Sequence, residues 1–318
     1  MWASMGGCAV ALVAVWWSCL ALGFLLAFLI HKVSPRLPSK YERSPLCAFL
    51  RDLIRYGKTK QRHRDDWLHV FDVPKRWFWH FYAVSVVWTG LLLVLSLRVR
   101  LQGQPYPPWL TSSLSCLCGV QWDERRAPQV STLLVQLLLW GHSLRRLLEC
   151  LFVSVYSQGV IHMAQYMFGV GYYVILGLTV LCCDNLNDAK GVDSLFHQLD
   201  LGHLSGAALF IWASLLQHSS LVTLARLRTG SSGTAKTFDH GVPHGGWFDL
   251  VSCPHYFAEL LIYVSLGLVL GGLSLTWWTV VSYVLFNQAV AAQLCQEYYV
   301  KKFERYPRRR CAFIPFVL

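Results

Sequence analysis

The segment that decides the fold is residues 240–273, HGVPHGGWFDLVSCPHYFAELLIYVSLGLVLGGL. It opens with a turn containing Pro243, Gly245 and Gly246, which interrupts any helix. From residue 256 it continues as an apolar run long enough to cross a bilayer. His255 and Glu259 stand where that run begins, although ionisable side chains are costly at membrane depth. The segment therefore predicts a membrane helix whose first turn carries functional groups.

The whole chain has the composition of a polytopic membrane protein. Its 318 residues are 55% hydrophobic and only 14% charged, and the mean hydropathy is +0.41. A soluble domain of this size buries a core with less apolar surface. The net charge of +11 comes from basic residues in loops between apolar runs. It therefore indicates membrane topology, and we predict no nucleic-acid partner.

Seven apolar stretches predict an all-α integral membrane protein with seven transmembrane helices, since a helix needs about 20 apolar residues to cross the hydrocarbon. Six stretches are clear, and they lie near residues 7–30, 79–97, 163–183, 202–222, 256–275 and 276–296. The seventh, VSTLLVQLLLWGHSLRRLLECLFVSVYS, is weaker because its second half carries Arg145 and Arg146. The first stretch lacks a basic region before it, so we predict a retained anchor instead of a signal peptide.

The distribution of lysine and arginine orients these helices. Residues 31–77, 142–162, 223–255 and the tail from 295 hold 23 of the 28 basic residues. The intervening segments hold five, and one of them, residues 184–201, carries four aspartates and one lysine. Because basic loops remain in the cytoplasm, seven helices with a non-cytoplasmic N-terminus fit this asymmetry.

Polar clusters gather at the cytoplasmic ends of the predicted helices. They lie at residues 72–76, 142–149, 217–228, 240–259 and 296–310. A single cluster suits a snorkelling anchor. Five on one side predict one polar chamber that opens to the cytosol.

The motifs of several familiar sites are missing. The sequence has no GxGxxG after a strand, no GxxxxGK[ST], no HExxH and no GxSxG. The eleven cysteines have no zinc-site spacing. A disulfide stays open for two predicted outer loops, which hold Cys116 and Cys118 on one side and Cys182 and Cys183 on the other. A nucleotide in the chamber would be held by separated arginines, since a guanidinium fork suits phosphate oxygens.

Two arginine pairs stand at helix ends, each with a simpler alternative as a positive-inside anchor. Arg145 and Arg146 end one predicted helix, and Arg226 and Arg228 end another. Glu149 follows the first pair at the spacing of a helical ion-pair partner.

His255 and Glu259 are four residues apart and share one helical face. Two metal ligands would suit that spacing, but no third ligand is evident, so we predict a hydrogen-bonding pair facing a polar cavity and no metal. The Gly-Gly pair before them is either a plain turn or a place where the backbone closely approaches a ligand.

Five ordered blocks resemble the steroid 5α-reductase family, and within it most closely the polyprenol reductase branch. They are DLIRYGKT (52–59), FDVPKRWFWHFY (71–82), HSLRRLLECLFVSVYS (142–157), GVPHGGWFDLVSCPHYFAE (241–259) and YYVKKFERYPRRRCAFIPF (298–316). The resemblance runs from about residue 45 to the C-terminus. We divide the chain into a first helix with a basic loop (1–77), helices 2–3 (78–160) and a C-terminal reductase domain with helices 4–7 and cofactor-binding loops (161–318).

The resemblance implies an enzyme of the endoplasmic reticulum membrane, with its active site facing the cytosol, that uses NADPH to reduce a carbon–carbon double bond conjugated to a carbonyl. Hydride addition at the β carbon builds negative charge on the carbonyl oxygen, which a donor in a water-poor site must stabilise. In the polyprenol branch the implied substrate is a long polyisoprenoid, as alcohol or aldehyde. Reduction of its α-isoprene unit gives dolichol for protein N-glycosylation.

The resemblance also implies catalytic positions. Asp72 stands two residues before a Pro, where steroid-reducing members have Glu, and is the predicted acid near the substrate oxygen; the alternative is a loop aspartate paired with Lys75 or Arg76. Ser143 occupies the place of a Tyr, which argues against efficient steroid reduction. Gln296 occupies the place of a His, and Gln can hydrogen-bond but cannot shuttle a proton.

For the cofactor, the resemblance implies that Arg146 and Arg228 bind the phosphates and that Glu259 and Tyr299 line the nicotinamide half. Three further polar positions depart from the usual family residue: Gln217, His240 and His255.

Other functions stay open. The chain could be a 3-oxo-Δ4-steroid 5α-reductase or a divergent member with low activity. A seven-span receptor or transporter would place polar residues outside or at the midplane. A membrane methyltransferase would bind S-adenosylmethionine, because fold does not fix chemistry. The predicted partners are a polyisoprenoid, or a steroid, and the lipid bilayer.

Overall fold

Helices dominate this computed structural model, which describes residues 11–33, 45–60, 64–184, 199–229, 237 and 239–318. Within those residues, Asp66–His69 forms a single helical turn. Apart from this turn, each of the seven predicted stretches holds one long α-helix, and two shorter α-helices lie between them. In chain order they are α1 (Leu12–Val33), α2 (Pro45–Leu53), α3 (Phe78–Gln102), α4 (Pro108–Cys118), α5 (Val130–Leu148), α6 (Met163–Cys182), α7 (Leu201–Thr229), α8 (Pro254–Val269) and α9 (Leu275–Lys302).

Among the described residues, four segments are long and apolar enough to cross a membrane. They are Leu12–Val33, Lys75–Gln102, Met163–Cys182 and Leu201–Thr229, and α8 is a shorter apolar helix. A helix satisfies its own backbone hydrogen bonds, which is why apolar segments fold this way in lipid. The chain is therefore a multi-pass membrane protein.

The long helices pack side by side around a large buried core. Helix α7 lies along α8, α1 lies along α9, and α3 packs against both α5 and α6. Trp17 of α1 is fully buried, and its indole donates to Thr179 Oγ1 of α6 at 2.9 Å. Helix α1 is thus an integral part of the bundle.

A two-stranded ladder joins the segments before α3 and α6. Strand β1 (Asp72–Pro74) pairs antiparallel with β2 (Val160–His162), with Asp72 opposite His162. The backbone N–H of Lys75 extends the pairing to the carbonyl of Gly159 at 2.8 Å. This ladder fixes where the first turn of α3 begins.

The Gly-Gly turn and the C-terminal tail meet on the same side of the bundle. Gly245 and Gly246 have φ angles of 87° and 58°, a region that favours glycine. The tail returns to the end of this loop, where the Ser252 N–H donates to the Cys311 carbonyl at 2.8 Å. The two blocks that resembled the family therefore form one unit in front of α8.

A second apolar cluster lies at the other end of α3. It is formed by residues of α3, α4 and α6 with the α4–α5 loop, including Leu92, Leu110, Trp122 and Leu181. Helix α4 was not predicted from the sequence, because its 11 residues are too few to span a bilayer. The four cysteines near this end are free thiols. Most of the predicted acidic loop, residues 185–198, lies outside the described residues.

Candidate active site

A cluster of charged side chains lies at the C-terminal end of α5. Glu149 is 2% exposed and receives Arg145 Nη1 on one carboxylate oxygen at 2.7 Å and Arg146 Nη1 on the other. His218 Nδ1 of α7 lies 2.8 Å from the first of these oxygens. The ion-pair partner predicted for the two arginines is therefore observed, and a buried carboxylate holds both guanidinium groups in place.

Gln217 connects this group to α8. Its side-chain oxygen accepts from Arg145 Nη2 at 2.5 Å, and its amide nitrogen donates to Glu259 Oε2. The same nitrogen lies 3.5 Å from the His255 carbonyl, and His142 Nε2 is 3.7 Å from Glu259 Oε1. The resulting central network joins α5, α7 and α8 through Arg145, Arg146, Glu149, Gln217 and Glu259.

Phenols line the central network. Arg146 donates from Nε and Nη2 to the hydroxyl oxygen of Tyr82, at 3.3 Å each. The rings of Tyr82 and Tyr173 lie 5.5 Å apart, and the Tyr172 hydroxyl donates to that of Tyr263 at 2.6 Å. The network thus faces hydroxyl groups that can donate to a bound carbonyl.

A second group, which we call the cationic cluster, consists of Lys58, Lys75 and Arg228. Arg228 donates from Nη1 to the Val155 carbonyl and from Nη2 to His240 Nε2, the latter at 2.8 Å. Burial, followed by the charges of Arg228 and the neighbouring lysines, lowers the pKa of His240 to about 3. His240 is therefore neutral at physiological pH and serves as an acceptor for Arg228.

Lys58 is held against aromatic rings. Its ammonium lies 3.9 Å from the ring centroid of Tyr299 and 5.7 Å from that of Tyr298, a cation–π arrangement. Burial opposes its charge, but the adjacent Cys295 and Tyr299 outweigh burial and raise the pKa of Lys58. Lys58 is therefore a permanent cation.

No carboxylate of the described residues is paired with the cationic cluster. Within the part of the chain that the structure describes, no carboxylate lies within ion-pair distance of Lys58, Lys75 or Arg228. Three partly buried cations without a carboxylate suit an anion with several oxygens, such as a pair of phosphates.

His255 lies between the two groups. Its ring is within electrostatic range of Lys58 and Lys75 of the cationic cluster and of Arg146 and Glu259 of the central network. The buried Nδ1 of this ring has no hydrogen-bond partner among the described residues, and such an atom is unusual in a folded protein. An open hydrogen-bonding position beside the cations fits the polar end of a dinucleotide.

The structure brings most of the predicted cofactor residues into these two neighbouring groups. Arg146, Gln217 and Glu259 belong to the central network, and His255 borders it. Arg228, with its acceptor His240, belongs to the cationic cluster, and Tyr299 lies under Lys58. The seven residues, though drawn from α5, α7, α8, α9 and a loop, therefore converge on one region.

The three predicted catalytic residues lie outside both groups. Asp72 pairs with Arg64, which also binds Asp52 Oδ1 at 2.9 Å. Ser143 donates to the Leu139 carbonyl at 2.9 Å and lies 2.7 Å from Ser85 Oγ. Gln296 donates to the carbonyl of Arg310, and so holds the C-terminal tail.

Sequence reasoning did not identify Lys58, Lys75 and Tyr82 as site residues. All three lie in the blocks DLIRYGKT and FDVPKRWFWHFY, which were recognised only for their resemblance. A usable signal was present: each block puts lysine beside aromatic residues, and such a lysine can bind an aromatic face and an anion together.

The amino-acid sequence of this chain is similar to those of known proteins. A sequence profile described as 3-oxo-5-alpha-steroid 4-dehydrogenase matches residues 160–318. A polyprenal reductase of Danio rerio is 54% identical over 310 residues, covering 97% of this chain and 98% of the relative. Polyprenal reductases of Xenopus tropicalis and Homo sapiens are 50% and 44% identical, covering 96% and 95% of this chain and 99% and 94% of those relatives. These relatives are reductases, and this chain belongs to the 3-oxo-5-alpha-steroid 4-dehydrogenase family.

Proposed function

We propose that this protein reduces the α-isoprene double bond of polyprenal with NADPH, as a step toward dolichol and protein N-glycosylation. We place it in the endoplasmic reticulum membrane, with seven spans and a chamber that faces the cytosol. In this proposal the C-terminal half, from about residue 161, is the reductase domain, and residues 1–77 contribute the first span and a basic loop. Similarity to polyprenal reductases over nearly the whole chain supports the substrate class.

The observation that carries the proposal is the convergence of the cationic cluster and the central network within one helical bundle. Ionisable groups buried within a membrane bundle are candidate functional groups by default. The cluster offers three cations to an anion, and the network beside it offers fixed donors. A site that grips a phosphorylated cofactor next to a carbonyl substrate needs both.

The residues present fit the cofactor. Lys58, Lys75 and Arg228 would hold its phosphates, and His255 and Glu259 would border its nicotinamide half. When bound, NADPH supplies the hydride. The protein would hold the acceptor carbon in line with that hydride and would supply a hydrogen-bond donor for the carbonyl oxygen.

The isoprenoid tail of a lipid substrate fits the outer surface beside the central network. A groove of about 450 Å³ runs along α5 and reaches the network at its polar edge. Its lining is mainly apolar: Gly141, Leu144, Arg145, Leu148, Glu149, Phe152, Val153 and His218. An isoprenoid chain lying in such a groove remains in an apolar environment.

Complementation of reductase-deficient cells tests the proposal. We expect the chain to lower the polyprenol pool and restore dolichol, both measured by mass spectrometry. Microsomes from these cells should reduce polyprenal with NADPH. Unchanged pools at normal protein levels would contradict the proposal.

Two parallel assays separate the alternatives. Turnover of a 3-oxo-Δ4 steroid without turnover of polyprenal would favour the steroid reductase. Thermal stabilisation of the purified protein by S-adenosylmethionine, with none by NADPH, would favour the methyltransferase. A receptor or transporter would bind neither.

A further inference from the structure

Reduction of a conjugated carbonyl needs a proton donor close to the oxygen that gains negative charge. In a water-poor site this donor is a positioned side chain, and its contribution is large. The sequence-predicted donors do not offer a free proton. Asp72 accepts hydrogen bonds from Arg64, and Ser143 gives its proton to a backbone carbonyl of its own helix.

The phenol of Tyr82 meets the requirement. Tyr82 is 8% exposed and lies in the first turns of α3. Its hydroxyl oxygen accepts two N–H groups of Arg146, so the hydroxyl proton points away from the guanidinium. Arg146 is itself fixed by the buried carboxylate of Glu149. The phenol therefore has a defined orientation and a permanent positive neighbour.

The helix pairing places this phenol close to Ser143. Helices α3 and α5 run antiparallel, since Tyr82 contacts Arg146 and Ser85 contacts Ser143. Residues 82 and 85 are almost one helical turn apart on the same face of α3. A hydroxyl at position 82 thus reaches the region beside position 143 from the opposite helix.

We propose that Tyr82 is the proton donor for the substrate carbonyl; this inference rests on the proposed function. As the β carbon gains a hydride, the electron pair of the double bond moves onto the carbonyl oxygen. The O–H bond of Tyr82 breaks, its proton bonds to that oxygen, and an enol and a phenolate result. Arg146 stabilises the phenolate, and the enol tautomerises to the saturated aldehyde.

The phenolate then recovers a proton from water before the next turnover. The ring of Tyr173, 5.5 Å from that of Tyr82, packs beside this phenol. No other reductant or oxidant is needed, because the hydride is the single source of electrons. Proton and electron counts therefore balance over one turnover.

Tyr82→Phe tests the inference, because it removes the hydroxyl and keeps the ring that packs on Arg146. We expect kcat for polyprenal to fall by about 10²–10⁴-fold, the usual contribution of a general acid. The KM for NADPH should stay within about threefold. Tyr283→Phe is the matched control: Tyr283 is a buried phenol of the same bundle, 4% exposed, and should keep kcat within about twofold.

A second measurement leaves the fold intact. Replacing Tyr82 by 3-fluorotyrosine makes the phenol more acidic, and the alkaline limb of the kcat–pH profile should move to lower pH. An unmoved limb, or a Tyr82→Phe variant with wild-type kcat, would overturn the inference. A raised KM for NADPH with unchanged kcat would also overturn it, since Tyr82 would then only position Arg146.

These outcomes are separable from failure of the proposed function. A wild-type protein that reduces no polyprenal contradicts the proposed function and this inference together. An active wild-type protein with a fully active Tyr82→Phe variant contradicts the inference alone.

Discussion

Arg228→Ala should weaken NADPH binding without unfolding the protein. The guanidinium of Arg228 has two neutral acceptors, the Val155 carbonyl and His240, so its charge is free to meet an anion. Hydrogen bonds to charged groups contribute about 1.5–3 kcal/mol. At about 1.4 kcal/mol for each factor of ten, the KM for NADPH should rise by about 10- to 150-fold.

The assay is the initial rate of polyprenal reduction in microsomes at varied NADPH, with protein levels measured by immunoblot. Arg226→Ala is the matched control, because Arg226 is an exposed arginine two residues earlier in the same helix. Arg228→Lys should recover part of the affinity, since it keeps the charge but loses the planar fork.

Arg228 has no place in the cofactor site if the KM of Arg228→Ala stays within about threefold of the Arg226→Ala value. A fall in kcat at unchanged KM would also contradict the reasoning. Such a result would mean that the guanidinium acts on the chemical step and not on cofactor binding.

Three further predictions test the surroundings of the site. Asp72→Asn should lower the Tm in detergent through the lost Arg64 pair and keep kcat within about threefold; a kcat loss above tenfold would restore Asp72 as the acid. Gly206→Ala should lower the free energy of unfolding by about 1–3 kcal/mol, because the added Cβ would lie 2.8 Å from the Ser265 carbonyl oxygen. Gly171→Ala is the control: no atom lies within 4 Å of the added Cβ, so this variant should not be destabilised. Folding lowers the pKa of His240 from about 6.5 to about 3. The contribution of neutral His240 to the stability of the protein is therefore fully present above pH 6.5 and is lost as the pH drops toward 3. The Tm of the wild-type protein should fall from pH 7 to pH 5, and the Tm of His240→Gln should fall less. An equal fall in the two proteins would contradict this prediction.

Local patterns predicted the parts of the fold that depend on neighbours in sequence. Glu149 meets both arginines because residues three and four apart share a helical face. Gly245 and Gly246 adopt positive φ angles because the chain must turn before α8 begins at Pro254. Such features need no knowledge of the rest of the molecule, so the sequence alone suffices.

Contacts between segments that are distant in the sequence could not be predicted from local patterns. Asp72 was expected to pair with Lys75 or Arg76, but its partner is Arg64. The pairing of β1 with β2 explains why: in extended chain, residues three apart point to opposite sides, so Lys75 turns toward Tyr56 instead. Periodicity assigns a side chain to a face, but the neighbour on that face depends on how whole elements dock.

The different charge balance of the two groups assigns them different roles. In the central network, two arginines face Glu149 and Glu259, and a balanced set of hydrogen-bonded charges is tolerated in a low-dielectric interior. The cationic cluster has three cations and no carboxylate among the described residues, an arrangement that is unfavourable for the protein alone. An anionic ligand removes that cost, so the unbalanced cluster favours binding. The balanced network gains little from a second anion but holds Arg146 rigidly against Tyr82, which is what a donor for the chemical step requires. Substitutions in the cationic cluster should therefore act mainly on the KM for NADPH, and substitutions at Tyr82 should act mainly on the kcat for polyprenal.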